Sequence, residues 1–315
     1  MTEIEKYIPK GVIKRIFSKN ESELIFGAKK LYLEQMCHNV RGGKKFIEYL
    51  EQVYGIEPSK NSVEELCEKM KLAEVYYYFY YLYTATRGTI VFKFKKAEDA
   101  NWVGNPELFS DFGQPIWDQE LEDKPKLWLC CKEDGDHVFL TFIFTGKEKH
   151  YFDSISQSFT NYTETGIVNC RIHFDDQIIE VIPNNTGADF VDETLDYIKR
   201  KFNISRVTPI SIDDQDLRDF DRSVVQVTHE KREGDEATTA LTRANNDGDT
   251  RNDVLHRGIE NREFKKEHGV LEINSANRAI VGLTRGEMGK IQFKSRLVPA
   301  DRSILFHKLK DILKW

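Results

Sequence analysis

Three residues have the side chains that a metal-dependent nuclease uses. Asp253 is followed by Glu263 and Lys265, and the last two are separated by one residue. Two carboxylates can hold a divalent ion that activates water, and a lysine can stabilise the charge that develops on a phosphate. The surrounding residues lack a clear strand pattern, which favours a polar surface over an active site. We therefore expect no catalytic residues and keep Asp253, Glu263 and Lys265 as an alternative hypothesis.

Other segments resemble known ligand motifs but differ from them at the defining residues. The run 282–290 is spaced like a phosphate-binding loop, but Thr284 replaces its first glycine and Ile291 replaces the magnesium-binding Ser or Thr. A calcium loop near 245–249 has Thr250 in place of its glycine and His256 in place of its final glutamate. The five cysteines lack the C-x₂₋₄-C spacing of zinc ligands. The sequence thus predicts neither a metal nor a cofactor.

Charge is segregated along the chain, although the formal net charge of the 315 residues is only −6. Residues 1–96 contain 17 Lys/Arg and 12 Asp/Glu, 97–222 contain 12 and 26, 223–264 contain 6 and 9, and 265–315 contain 11 and 5. Basic ends therefore bracket an acidic middle. A concentrated basic segment is the electrostatic pattern expected of a surface that binds phosphates.

The C-terminal excess of cations supplies most candidate nucleic-acid-binding residues. If 290–297 is a strand, Lys290, Lys294 and Arg296 lie on one face, and Ile291 lies on the other. The first face is mostly basic, so it can either bind phosphates or simply face solvent. The C-terminal candidates are Arg278, Arg285, Lys290, Lys294, Arg296, Arg302, Lys308 and Lys310.

Six cations in the first third are secondary candidates. Arg41, Lys44 and Lys45 flank two glycines that permit close backbone approach, and the next helix would offer free N–H groups. A glycine helix end with solvated lysines is the simpler interpretation. The other three are Arg87, Lys93 and Lys95.

Residues 76–83, YYYFYYLY, contain seven aromatic side chains. A helix at this position is aromatic on every side, which favours burial or a partner. We favour packing in the core or between copies of the chain over the stacking of unpaired bases. A protein-interaction subunit that oligomerises through 76–83 is therefore a further hypothesis.

Helical periodicity dominates the first third. Asn20 with Glu23, and Ser62 with Glu65, are spaced as capping boxes, which predicts that helices begin there. A helix-turn-helix reader is disfavoured because 62–71 carries three glutamates that would repel phosphates, and the turn before it is too long.

The period changes to two after residue 87. Residues 191–202 predict a helix packed on a sheet, and 269–297 predict an antiparallel meander before a final helix. The fold class is therefore α+β, with a helical N-terminal domain followed by mostly antiparallel sheet modules with packed helices. Strands are predicted at 90–95, 126–131, 137–145, 166–174 and 177–182.

These changes divide the chain into four predicted segments. A helical domain spans 1–86, and an α+β sheet domain spans 87–212. Residues 213–268 are a polar, partly mobile insertion, inferred from low hydrophobicity and polar runs. A basic β-meander with a C-terminal helix spans 269–315 and packs on the 87–212 domain.

Composition indicates a soluble, cytoplasmic protein. Hydrophobic residues make up 40% and charged residues 31%, as in globular proteins. No stretch reaches the roughly 18 apolar residues of a spanning helix, so we expect no membrane insertion. An odd, scattered set of cysteines indicates a reducing compartment. The bias towards Lys, Asn, Ile, Phe and Tyr is typical of AT-rich genes, including microbial mobile elements.

We interpret the chain as a non-catalytic nucleic-acid-binding or adaptor protein, with DNA favoured over RNA. It would bind phosphates through salt-sensitive contacts, within a multi-protein system such as microbial antiviral defence or a mobile element. A protein partner or a second copy of the chain is also expected. The nuclease and the oligomerising subunit remain the alternatives.

Overall fold

The computed structural model divides into two compact units, each built from separate parts of the chain. The first takes its residues from Met1–Thr84, Lys95–Gln177 and Pro183–Arg206. The second takes Ala85–Phe94, Ile178–Ile182 and Val207–Trp315. This grouping differs from the four segments expected from sequence. Two short pieces, Ala85–Phe94 and Ile178–Ile182, belong to the same unit as the C-terminal residues Val207–Trp315. The described residues are 21–40, 42–97, 114–115, 124–133, 137–153, 158–233, 239–243, 249–252, 262–275, 277–294 and 296–315.

Helices dominate the start of the described chain and strands dominate the rest. The fold class is α+β, as the sequence predicts. In chain order the elements are α1 (Glu21–Asn39), α2 (Gly43–Tyr54), α3 (Ser62–Lys69), α4 (Leu72–Thr84), β1 (Gly88–Lys96), β2 (Gln114–Pro115), β3 (Lys126–Lys132), β4 (His137–Asp153), β5 (Ser158–His173), β6 (Ile178–Pro183), α5 (Val191–Lys201), β7 (Ile204–Pro209), α6 (Asp214–Ser223), β8 (Gln226–Glu233), β9 (Thr239–Arg243), β10 (Phe264–Glu272), β11 (Arg278–Thr284), β12 (Lys290–Phe293) and α7 (Pro299–Leu313).

Helices α1 and α2 approach each other closely at Gly43. A Cβ atom on this residue would lie 1.7 Å from the carbonyl oxygen of Met36, so only glycine fits there. Phe46, Ile47 and Leu50 then form the buried stripe of α2. Helical spacing of apolar residues in the sequence predicts this stripe.

Helix α3 begins where the sequence predicts, but with a different cap. The hydroxyl of Ser62 accepts a hydrogen bond from the backbone N–H of Ser59 at 2.8 Å and donates to its carbonyl oxygen at 3.0 Å. The residue at the N-cap position is Asn61, whose side chain makes no capping hydrogen bond. The expected capping box from Ser62 to Glu65 is therefore replaced by a turn at Ser59.

The aromatic segment lies on α4 and packs inside the first unit. Tyr76 is 0% exposed, and its ring centroid lies 4.8 Å from that of Tyr32. Tyr81 is also buried and stacks against Phe46. Tyr77, Tyr78 and Phe79 are half-buried, and Tyr83 is 40% exposed. Core packing therefore accounts for the buried rings of the segment, which are not free to stack on bases.

The first unit also contains an antiparallel sheet with the strand order β2–β3–β4–β5. Its longest pairing joins β4 and β5, from His137 opposite His173 to Asp153 opposite Ser158. The amide of Asn169 on β5 donates to the carbonyl oxygen of Tyr80 at 2.9 Å and thereby attaches the sheet to α4. Helices and sheet thus form one unit here.

The second unit is a larger antiparallel sheet with the order β6–β1–β12–β11–β10–β8–β9. Strands β10, β11 and β12 form the meander that the sequence predicts. One face of the sheet packs with α6 and α7 around an apolar core. The core includes Leu217, Phe220, Val281, Leu283, Ile291, Phe293, Leu305 and Leu309.

Regular elements occupy much of 213–268, where the sequence predicts a polar insertion. Helix α6 begins with a reciprocal cap, in which the side chains of Asp213 and Asp216 each accept the other's backbone N–H at 2.9 Å. Strand β8 buries Glu230 and Arg232, which pair with each other. In β8 the charged pair occupies inward positions where apolar residues would normally mark a strand, and in α6 only Leu217 and Phe220 are buried, so the low hydrophobicity of the sequence hides both elements. The runs 234–238, 244–248 and 253–261 lie outside the described residues.

None of the helices within the described ranges has both the length and the apolar content needed to cross a bilayer.

Candidate nucleic-acid interface

Strands β8, β10, β11 and β12 bring three lysines into one row across the sheet of the second unit. Lys266 is the cross-strand partner of Lys231 on one side and of Thr284 on the other. Thr284 is in turn the partner of Lys290. Residues in register on neighbouring strands project from the same face. We call Lys231, Lys266, Thr284 and Lys290 the basic row.

A second row runs beside the first, two residues further along each strand. His229 pairs with His268, His268 pairs with Gly282, and Gly282 pairs with Gln292. Lys294 belongs to the same face, because its ammonium group donates to Oε1 of Gln292 at 2.6 Å. We call His229, His268, Gly282 and Gln292 the imidazole row, and the two rows with Lys294 the basic face.

The alternation of β12 explains why this face is polar. Lys290 and Lys294 are exposed, whereas Ile291 and Phe293 are fully buried in the core on the opposite face. Side chains of a strand alternate between faces, so the sequence KIQFK places cations on one side and the core on the other. The alternation predicted from sequence is present in β12, but the strand ends at Phe293 and not at residue 297, so Lys294 and Arg296 lie beyond it.

A groove of about 380 Å³ opens beside the basic row. Arg285 contributes a guanidinium group that pairs with the Glu263 carboxylate at 2.5 Å. Glu263 is the one acidic residue among the lining side chains, against four cations. The lining residues are Lys231, Glu263, Lys265, Lys266, Thr284 and Arg285. This basic groove and the basic face share Lys231, Lys266 and Thr284, so they form a continuous cationic surface.

Burial and neighbouring charges lower the pKa of two side chains on this face, Lys294 and His268. Burial and the nearby charge of Lys266 lower the pKa of Lys294. Burial lowers the pKa of His268 to about 3, and Lys294, His229 and Lys266 add to the effect. Lys231 and Lys266 also lie directly opposite each other, an arrangement of like charges that destabilises a sheet. An anion bound on this face would relieve the repulsion.

Several C-terminal candidates have protein partners at the surface. Arg278 pairs with Glu272 at 2.9 Å, and both side chains are exposed. Lys308 donates to the carbonyl oxygen of Glu272 at 2.6 Å. Arg296 and Lys310 are half-buried. None of these four lies in the two rows or in the basic groove.

Arg302 lies in the core of the second unit and not on its surface. Its side chain is 2% exposed, and it donates to the Glu180 carboxylate at 2.7 Å. The inward face of α7 carries it, together with the buried Leu305, Phe306 and Leu309. The sequence places it among the candidate cations because charge alone does not reveal which helix face is buried. We therefore leave Arg302 out of the interface.

The secondary candidates are divided between the two units. Lys44 and Lys45 are exposed in the first turn of α2, and Lys95 is exposed near the end of β1; all three belong to the first unit. Lys93 is exposed and Arg87 is half-buried, and both belong to the second unit. Arg41 lies outside the described residues. The structure places none of the described five in the basic face.

The candidate nuclease residues are only partly described. Glu263 pairs with Arg285, and Lys265 lines the basic groove. Asp253 lies outside the described residues. Among the residues with described positions, no three His, Cys, Asp or Glu side chains form a cluster that could hold a metal ion.

Four residues of the basic face were not among the candidates from sequence: His229, Lys231, Lys266 and His268. The spacing of Lys266 and His268 at alternate positions of β10 was a usable signal. Strand β8 gave no such signal, because its inward positions include Glu230 and Arg232 where apolar residues would normally mark the buried face.

The sequence was also compared with known proteins. No protein-family model and no curated protein matches it.

Proposed function

We propose that this chain is a non-catalytic nucleic-acid-binding protein or adaptor that contacts phosphates through the basic face and the basic groove. DNA remains the favoured ligand over RNA. The observation that carries the proposal is the direct opposition of Lys231 and Lys266, with Lys290 in the same row. Lysines at directly opposite positions of a strand pair are like charges on one face, an arrangement that costs a sheet stability.

Sheet geometry makes the row suitable for a polyanion. Lys231 and Lys266 lie on adjacent strands, and Lys290 lies two strands beyond Lys266. Neighbouring strands are about 4.8 Å apart, so the row spans three such spacings. Arg285 and Lys265 extend the charge into the basic groove. A string of phosphates can therefore contact several cations at once, with release of the counterions that surround it.

Binding should depend steeply on salt. Each phosphate contact contributes roughly 0.7 to 0.9 to the negative slope of log affinity against log salt. We expect Lys266→Gln with Lys290→Gln to weaken binding at every salt concentration and to reduce that slope by about two units. Fluorescence anisotropy with a labelled oligonucleotide, at salt concentrations from about 50 to 200 mM, measures the affinity and its dependence on salt.

The matched control removes two exposed lysines from the first unit. Lys60→Gln with Lys71→Gln changes the net charge by the same amount but leaves the second unit intact. We expect this variant to bind like the wild type. Equal weakening by both variants would mean that general charge is responsible, and no binding at low salt would reject the proposal.

A further inference from the structure

Two imidazole rings stack on the β8 side of the basic face. The ring centroids of His229 and His268 are 4.7 Å apart, and the ring planes differ by 26°. Both side chains are half-buried on neighbouring strands. The pair is an aromatic surface within a group of cations.

Gly282 makes room for this stack. A Cβ atom at Gly282 would lie 2.5 Å from Cδ2 of His268, so the imidazole occupies the space that a side chain on β11 would fill. Nε2 of His268 is enclosed and has no hydrogen-bond partner. The ring is therefore positioned by packing against Gly282 and His229 rather than by a polar contact.

The stack differs in character from the lysines around it. Burial, with the charges of Lys294 and Lys266, lowers the pKa of His268 to about 3, so its ring is neutral at physiological pH. A neutral imidazole attracts phosphate weakly. Its planar ring can instead stack against a nucleobase, a role that histidine performs in proteins that bind unpaired bases.

We propose that the His229–His268 stack is a platform for an unpaired base and that single-stranded nucleic acid is the preferred ligand of the basic face. This inference rests on the proposed function. In a duplex the faces of the bases are already stacked, and only their edges are accessible in the grooves. A single strand can place its phosphates on Lys266 and Lys290 and turn a base onto the rings.

The test compares three oligonucleotides on the full-length chain: a 20-residue oligo-dT, an abasic strand with the same number of phosphates, and a 20-base-pair duplex. We expect the wild type to bind oligo-dT about ten times more tightly than the abasic strand, because base stacking is the only difference between them. His229→Ala should reduce this ratio to about one, and His229→Phe should preserve it. His307→Ala, which removes an exposed histidine from α7, should leave the ratio at its wild-type value.

Failure of the inference and failure of the proposed function give different results. Equal affinity for oligo-dT and the abasic strand, a preference for the duplex, or an unchanged ratio in His229→Ala each overturns the platform while phosphate binding stands. Absence of binding to all three probes overturns both. A parallel measurement with oligo-rU identifies the sugar: tighter binding to oligo-rU still supports the platform but assigns it to RNA.

Discussion

Arg302 forms a buried ion pair that is separate from the basic face. Its side chain is 2% exposed, and that of its partner Glu180 is 0% exposed. The guanidinium group also donates to Oγ1 of Thr89 at 3.0 Å and lies 4.4 Å from the ring centroid of Phe293. A buried pair of this kind adds little over an apolar pair, but removing one partner is costly.

We expect Arg302→Met to lower the free energy of unfolding by about 3 to 5 kcal/mol, because it removes the cationic partner of the buried Glu180 carboxylate. A second change, Glu180→Leu, should restore most of the lost stability by removing the buried negative charge. Urea unfolding of the three variants (each single change and the double change) measures these differences.

Arg278→Met is the control for loss of an arginine from the same unit. Arg278 is 61% exposed and pairs with Glu272, which is 45% exposed, so we expect a change within about 0.5 kcal/mol. If Arg302→Met were as stable as the wild type, the buried pair would contribute nothing to the fold.

At the scale of elements, β8 and β10 carry charge on both faces. Lys231 and Lys266 oppose each other on the basic face, and Glu230 and Glu267 oppose each other on the core face. Under the proposed function, the opposed lysines favour phosphate binding and lower the stability of the free protein. Residues that repel one another in the free protein are those that an anion would stabilise.

We expect Lys266→Gln to raise the free energy of unfolding by about 0.2 to 1 kcal/mol at low salt, because it removes repulsion with Lys231. The gain should shrink as salt screens the charges. Urea unfolding at low and high salt, without nucleic acid, measures the effect. Lys60→Gln in the first unit should show no comparable gain, and a destabilised Lys266→Gln at low salt would argue against repulsion across this strand pair.

At the scale of the whole molecule, the second unit is discontinuous in sequence. Its sheet includes Ala85–Phe94 and Ile178–Ile182, which are separated from Val207–Trp315 by long parts of the first unit. These pieces provide β1, the partner of β12, and β6, the partner of β1. They also carry Thr89 and Glu180, the internal partners of Arg302.

We therefore expect the fragment 207–315 to lack a cooperative fold. Without β1 the edge of β12 is unpaired, and Arg302 is left without Glu180 in the core. Circular dichroism during urea unfolding should show no sigmoidal transition, whereas the full chain should show one. A sharp transition in the fragment, with native-like strand content, would mean that β1 and β6 are dispensable for folding.

Local patterns predicted much of the fold. The helical stripes of α2 and α5, the strands β3 to β6 and the meander β10 to β12 follow from periodicities that involve near neighbours in the chain. The composition of the basic face was predicted in part. Alternation in β12 identified Lys290 and Lys294, but Arg302 was placed on the surface when it is in the core. Its environment depends on Glu180 and Thr89, which are distant in sequence.

By itself the sequence determined the α+β class, the segregation of charge and the polar face of β12, because each depends on composition or on side chains a few residues apart. Tertiary structure alone decided which cations lie on neighbouring strands of the same sheet face. Strand pairing placed Lys231 opposite Lys266 and stacked His229 on His268, although these partners are more than thirty residues apart. A short turn fixes the register of a hairpin, but β8 ends at Glu233 and β10 begins at Phe264, so no turn in the sequence specifies how these two strands pair.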